Sequence, residues 1–295
     1  MQKLLAFFLI TRPLNVAIAG LSILAAAALV QPFGFTTPVV AAMISTMLIT
    51  AGANVMNDYY DLDIDRINRP QRILPAGRLT PRAAQRFAIF LFVCGNFFSI
   101  LINKTAAMIA VGSSLTVMVY SWKLKRQPLT GNLTVSLITS LAFIYGALAA
   151  QAGLSRLALP TENSGMWSSD WRAGIFPAVF SFLFHFGREV IKDIEDQAGD
   201  RAMQARTLPL AYGLTAAQAA ATGAFVLLLI VMFAPFYLGL YGVAYWWIIV
   251  LGVYPVLILA LGVLWKNPAP ARMRQVSAAL KADMLVGLAA IYFGR

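Results

Sequence analysis

Apolar runs long enough to cross a bilayer recur along the whole chain, and this constrains its fold more than any other feature. A hydrocarbon core takes roughly 20 apolar residues per helical crossing. Runs of this kind, bounded by charges, Gly and Pro, lie near 14–31, 37–56, 83–102, 105–121, 131–152, 173–192, 215–238, 243–265 and 276–293. They are continuous rather than alternating at every second residue, which excludes a membrane β-barrel. The composition agrees: 60% of residues are hydrophobic, only 12% are charged, and the mean hydropathy is +0.73, far above a soluble domain. The expected fold is an all-α polytopic membrane protein, nine transmembrane helices around a central cavity, with one membrane domain filling residues 1–295.

The net charge of +11 does not point to nucleic acid, because the basic residues lie in short loops between apolar runs instead of on one soluble face. On alternate sides of a nine-helix arrangement, 19 of the 23 Lys and Arg residues fall on the side of the N-terminus, and only Lys104, Arg156, Arg172 and Arg295 on the other. The positive-inside tendency therefore places the N-terminus in the cytoplasm and the C-terminus outside, in a multi-pass protein of the cytoplasmic membrane. The only sizeable external connection, 153–172, holds Glu162, Asp170 and Trp171. Lys3 and the apolar stretch after it resemble a signal peptide, but Arg12-Pro13 interrupts the apolar region, and the run beyond that pair is long enough to be a retained span. Cys94 and His185, single in the chain, build neither a disulfide framework nor a Cys/His metal site and read as buried helix residues.

Nine of the twelve acidic residues lie in two places: Asp58, Asp61, Asp63 and Asp65 after the second run, and Glu189, Asp193, Glu195, Asp196 and Asp200 after the sixth. Carboxylates packed this densely repel and raise one another's pKa, so a cation is expected to neutralise them. Asp58, Asp61 and Asp65 run i, i+3, i+7, and Asp193, Asp196 and Asp200 repeat the spacing. At about 100° per residue each triplet falls within roughly 60° of one helical face. These six are the candidate catalytic and metal-ligating residues. Oxygen donors of this kind suit Mg²⁺, which is shared between one or two carboxylates and substrate phosphates. Asp63 and Glu195 point away from the columns. Asn54 and Asn57 precede the first column and supply amide oxygens. Arg66, Arg69, Arg72, Arg78, Lys125, Arg188, Lys192 and Arg206 surround both, as cations would around a phosphorylated ligand. A solvated collar beside the membrane explains any one of these charges, but it has no reason to repeat a seven-residue register.

Asn57-Asp58-x-x-Asp61-x-x-x-Asp65 and Asp193-x-x-Asp196-x-x-x-Asp200 resemble the two aspartate motifs of the UbiA-type intramembrane prenyltransferases. The similarity covers essentially the full chain, with nine helices and motifs after the second and sixth. It implies Mg²⁺-dependent transfer of a prenyl group from an isoprenyl diphosphate to an acceptor within the bilayer: diphosphate leaves to give an allylic carbocation, and the acceptor attacks it. Prenyl tails would then lie among Phe90, Phe97, Phe98, Phe143, Tyr145, Phe180, Phe182 and Phe184. Residues 57–80 and 187–200, followed by Thr207-Leu208-Pro209, are most similar to the digeranylgeranylglyceryl phosphate synthases of that family, which implies geranylgeranyl diphosphate as donor and geranylgeranylglyceryl phosphate as lipid acceptor. Ile73 departs from many relatives, which have proline there. Tyr120, Lys125, Gly131 and Asn132 fall where relatives carry a similar loop, so Tyr120 and Lys125 join the candidate diphosphate or acceptor contacts.

Two competing functions are compatible with the same residues. The acceptor could be aromatic, a hydroxybenzoate, a homogentisate-like ring or a chlorophyll precursor, since chlorophyll synthases share the aspartate, asparagine and arginine order of the first segment and quinone-forming members share both columns. A transporter or cation channel would also use intramembrane carboxylates, but transport sites lie near the midplane on broken helices, and these columns lie at helix ends.

Overall fold

The computed structural model describes residues 2–157 and 170–294; Glu162 and Arg295 lie outside the described residues. Among the described residues eight helical stretches are long and apolar enough to span a bilayer, and a bent helix pair near the N-terminus makes a ninth when it is taken as one span. The pair is α1 (Gln2–Ile10) and α2 (Pro13–Ala28), bent by 47°. Proline bars the residue before it from the α region, and Arg12 adopts the left-handed conformation at φ 55°, ψ 71°. The bend carries the Arg12 side chain to the polar end of the bundle.

The chain continues as α3 (Thr37–Tyr60), α4 (Leu62–Asn68), α5 (Pro81–Ile100), α6 (Lys104–Trp122) and α7 (Thr130–Leu157). Beyond residue 170 come α8 (Ile175–Ala202), α9 (Leu208–Tyr212), α10 (Leu214–Val231) and α11 (Ala234–Tyr237). A span of α12 (Val243–Ile248), a π-helical segment (Ile249–Val253) and α13 (Tyr254–Lys266) precedes the last helix, α14 (Pro270–Phe293). Helix starts reflect local chemistry: Asn103 caps α6 by accepting from the Ala106 amide at 2.8 Å, and prolines open α2, α3, α5 and α14, where a missing N–H costs nothing. The 24 residues of α3 rise about 36 Å, enough to cross the hydrocarbon.

Burial follows the logic of a lipid solvent. Leu251 and Leu259 are among the most exposed side chains, while helix crossings are lined with small residues that let backbones approach. At the crossing of α2 and α7, Ala26 and Ala27 are fully buried, and a Cβ on Gly146 would lie 2.7 Å from the Ile23 carbonyl oxygen. Because successive spans alternate in direction, the ends of α3, α6, α8 and α13 and the starts of α2, α7 and α14 gather on one side. The backbone bond from Arg206 N–H to the Arg126 carbonyl, 3.0 Å, ties the segments after α8 and α6 together there. Between α2, α3, α6, α7, α8 and α14 lies a cavity of about 710 Å³.

Candidate active site

α3 delivers Asn54 and Asn57, then ends at Tyr60. Asp61 is the joint, at φ −89°, ψ 3°, and α4 carries Asp65. The helical ladder survives the break: the Asp61 amide donates to the Asn57 carbonyl at 2.9 Å and the Asp65 amide to the Asp61 carbonyl at 2.7 Å. Asn57, Asp61 and Asp65 are thereby stacked one turn apart. The opposite wall is α8, uninterrupted to Ala202, where Glu189, Asp193, Asp196 and Asp200 recur at i, i+4, i+7 and i+11 on one face. The two walls, with Tyr120, Lys125 and Asn132 between them, enclose a small polar chamber of about 50 Å³. Asn57, Arg72, Tyr120, Lys125 and Lys192 also line the large cavity, so the chamber is its polar end.

Cations interleave the carboxylates. Lys125 Nζ pairs with Asp61 and donates to Asn57 Oδ1 at 3.3 Å. Arg72 Nη1 lies 2.6 Å from Asp65 Oδ2. Arg69 Nη2 donates across the chamber to both Asp196 oxygens, at 3.0 and 3.1 Å, and to Glu195 at 3.0 Å. Lys192 Nζ pairs with Glu189 at 2.8 Å, and the Asn132 amide donates to Asp193 Oδ2 at 2.9 Å. Burial works to raise the Asp61 pKa, but Lys125, with Arg12 and Arg72 beyond it, holds the carboxyl below its ordinary value. Burial likewise opposes the charge of Lys125, and Asp61 outweighs it, so the ammonium is held above its ordinary value. At Asp65 burial, joined by repulsion from Asp61 and Asp58, outweighs Arg72 and raises the pKa. On this wall the cations hold Asp61 charged, while burial makes Asp65 the harder of the two to ionise.

Among the described residues no three acidic side chains converge closely enough to hold an ion unaided. The carboxylates stand on opposite walls, so an ion between them needs further oxygens from whatever occupies the chamber. The donor chemistry fits Mg²⁺, being all oxygen from carboxylates and amides.

The structure brings together Asn57, Asp61, Asp65, Arg72, Tyr120, Lys125, Lys192, Asp193, Asp196 and Asp200 around this chamber. Asp58 lines neither cavity: it is buried behind the wall, paired with Arg12 and, at 3.4 Å, with Arg72. The end of α3 gives the facing position to Asn57 instead. Asn54 donates to the Thr11 carbonyl at 2.9 Å and lines only the large cavity, as does Arg188. Arg66 is exposed and paired outward with Asp63 at 2.8 Å, and Arg78 is exposed in the loop; neither reaches the chamber. Asp63 points away as expected. Glu195 does not: it is 8% exposed, held between Arg69 and Arg274, each at 3.0 Å, because the segment after α4 and the start of α14 close over that flank of α8.

Arg12, Arg69, Asn132 and Glu189 also line the chamber; the sequence marks Arg69 only as one of the cations around the columns, Asn132 only by its place in a loop shared with relatives and Glu189 only as a member of the second acidic cluster, and it does not mark Arg12. The signal for Glu189 and Asn132 was available: one extends the α8 register by one turn, the other adjoins Gly131, where a Cβ would sit 2.8 Å from the Leu124 carbonyl and 3.0 Å from Lys125 Cα. Of the expected aromatics, Phe143, Tyr145, Phe180 and Phe184 line the large cavity. Phe90 and Phe97 are exposed on the outer surface, and Phe98 and Phe182 line neither cavity. His185, half-buried, faces the large cavity with Nδ1 2.8 Å from the Ser181 carbonyl. Cys94 is a free thiol, partly buried.

The model of the UbiA prenyltransferase family matches residues 16–280. A digeranylgeranylglyceryl phosphate synthase from Methanothermobacter thermautotrophicus is 31% identical over 254 residues, covering 86% of this chain and 80% of that protein. The solved structure of a digeranylgeranylglyceryl phosphate synthase superposes with a TM-score of 0.74 at 28% identity, covering 100% of this chain and 99% of that one. A UbiA homolog from Archaeoglobus fulgidus, bound to GPP and Mg²⁺, superposes at 0.65 with 17% identity over 97% and 99% of the two chains; a likeness at that identity bears on the fold alone. Matched over nearly its whole length by the family's model, and all-helical within a bilayer as the sequence led one to expect, this chain belongs to the UbiA prenyltransferase family and is an integral membrane prenyltransferase.

Proposed function

We propose that the enzyme transfers a geranylgeranyl group from its diphosphate to geranylgeranylglyceryl phosphate, forming an ether lipid, with Mg²⁺ held between the two carboxylate walls. The observation that carries this reading is the joining of a polar chamber, walled by opposed carboxylates and laced with cations, to a cavity of about 710 Å³ lined by Phe143, Phe180 and Phe184. A diphosphate needs the first and a prenyl chain the second. The relatives' shared name supplies the donor and the acceptor.

Asp61 and Asp65 on one wall and Asp193, Asp196 and Asp200 on the other are the proposed metal ligands, with Asn57 as a neutral oxygen donor. Bound there, Mg²⁺ would offset charge on the diphosphate as it becomes a leaving group. Lys125, Arg72, Arg69 and Lys192 turn from their carboxylates to the diphosphate oxygens, where charge-assisted hydrogen bonds grow stronger as the C–O bond breaks. Tyr120 borders the same oxygens. The apolar walls keep water from the allylic cation, and the acceptor hydroxyl oxygen forms the new C–O bond as its proton passes to the released diphosphate. Arg12 and Asp58 position this set from behind: Asp58 anchors Arg12 and Arg72. The bias of Lys and Arg supports a cytoplasmic chamber, a cytoplasmic N-terminus and an external C-terminus in the cytoplasmic membrane.

The test is incubation of purified enzyme with labelled geranylgeranyl diphosphate, Mg²⁺ and a panel of acceptors, with products identified by mass. A glycerol ether is the expected product. A prenylated aromatic ring, with no glycerol ether, would replace this reading by the aromatic one.

A further inference from the structure

Beyond the chamber, the large cavity holds a second group of cations, one of which has no carboxylate partner among the described residues. Arg188, Arg274 and Lys281 line the large cavity and not the polar chamber. Arg274 and Lys281 lie seven residues apart on α14, two turns along one face. From α8, Arg188 Nε donates to the Ser277 carbonyl at 3.4 Å. Ser277 is one helical turn from Arg274 and one from Lys281, so the three basic groups share one patch of cavity wall.

Their compensation is uneven. Arg274 is paired with Glu195 at 3.0 Å, and Arg188 shares Glu189 with Lys192, at 3.3 Å and 2.8 Å. Among the described residues Lys281 has no ion pair, and the charged groups acting on it most are Arg188, Arg12 and Lys192, all of its own sign. It stands eleven residues into α14, about 16 Å along the axis from Pro270. Topology needs no lysine at that depth, and an intramembrane charge facing a cavity and surrounded by like charge marks a ligand of the opposite sign. One carboxylate of α14, Asp283, lines the same cavity, buried and with both oxygens unpartnered; a single carboxylate is no counterpart of the chamber's two opposed walls.

We infer that Arg188, Arg274 and Lys281 form a second anion site, independent of metal, that holds the phosphomonoester of the lipid acceptor while the donor's diphosphate occupies the metal-binding chamber. The inference rests on the proposed reading that the acceptor is phosphorylated. It divides the basic residues by role: Lys125, Arg72, Arg69 and Lys192 serve the donor, and the α14 patch serves the acceptor. A site of this kind lets the two substrates bind without competing for metal, and it selects a phosphorylated glycerol lipid over the corresponding neutral alcohol.

The test separates this site from the chamber by chelation. Binding of geranylgeranylglyceryl phosphate, of its dephosphorylated alcohol and of geranylgeranyl diphosphate is measured in detergent, with Mg²⁺ and with EDTA, for the wild type and Lys281→Met. The wild type is expected to bind the phosphorylated lipid in EDTA at least tenfold more tightly than the alcohol. Lys281→Met should lower that affinity roughly tenfold to hundredfold, the worth of a charge-assisted contact. Donor binding should require Mg²⁺ and change less than twofold in the variant. Lys281→Arg should restore the preference for phosphate, and Arg274→Gln should weaken it by a route that leaves Lys281 in place. The inference is overturned if the wild type shows no preference for phosphate in EDTA, if Lys281→Met leaves the preference intact, or if donor and acceptor affinities fall together. Tight binding of the phosphorylated lipid with no ether product under turnover conditions would instead refute the proposed reaction and leave the anion site standing.

Discussion

Lys125→Met is the perturbation whose consequences the geometry specifies most fully. Its ammonium pairs with Asp61, a carboxylate 4% exposed, and donates to Asn57 Oδ1 at 3.3 Å. Removing one partner of a fully buried pair costs about 3–5 kcal/mol. Here the side chain of Lys125 is 32% exposed, and Arg12 and Arg72 continue to act on Asp61, so the expected loss is lower, about 2 kcal/mol. For a chain of this size that corresponds to a fall in melting temperature of roughly 3 °C, read by tryptophan fluorescence in detergent. Asp61→Asn added to Lys125→Met should then cost less than the sum of the single losses, because the stranded charge is gone. In turnover the same lysine faces the diphosphate, so KM for the donor should rise about tenfold to hundredfold at saturating Mg²⁺. Additive melting losses together with an unchanged donor KM would refute the reasoning that one lysine serves the carboxylate first and the diphosphate afterwards.

Individual positions carry further expected outcomes. Asp196→Ala should abolish turnover and Mg²⁺-dependent donor binding in a protein that still elutes as a folded species, whereas Asp63→Ala, whose exposed pair with Arg66 is worth at most about 1 kcal/mol, should turn over as the wild type does; equal activities would remove the α8 wall from the mechanism. Gly131→Val forces a side chain against the Leu124 carbonyl and Lys125 Cα and is expected to raise donor KM at least tenfold through displacement of Lys125, measured in the same kinetic assay. Gly146→Leu places bulk against the backbone of α2 and should destabilise the helix crossing by more than about 2 kcal/mol, within the usual range for overpacking, as read by thermal melting; unchanged melting would mean that α2 and α7 do not cross so closely.

Much of this architecture was legible because lipid simplifies the code. A span must be apolar over its whole length, so each of the nine expected helices falls on a helix or bent pair of the structure. The register of Asp193, Asp196 and Asp200 was legible for a related reason: α8 runs without a break, and helical periodicity holds along it. It failed at Asp58 because α3 stops at Tyr60 and restarts as α4 after Asp61; a polar seven-residue helix has no hydropathy signal. Arg12 was hidden for a different reason. Positive-inside bias already accounted for it, and only the bend between α1 and α2 turns it toward Asp58. Glu195 lies off the column on a helical wheel, which describes one helix in isolation and cannot show that Arg69 and Arg274 arrive from elsewhere to bury it. Arg66 and Arg78, near the columns in sequence, project from the surface clear of the chamber.

The account depends on divalent metal bridging the wall of Asp61 and Asp65 to that of Asp193, Asp196 and Asp200. Anomalous diffraction from crystals grown with Mn²⁺ and an unreactive prenyl diphosphate analogue measures this directly. Manganese peaks in contact with carboxylate oxygens from both walls and with the analogue's diphosphate are predicted; peaks confined to one wall, or a diphosphate bound far from the chamber, would contradict the account.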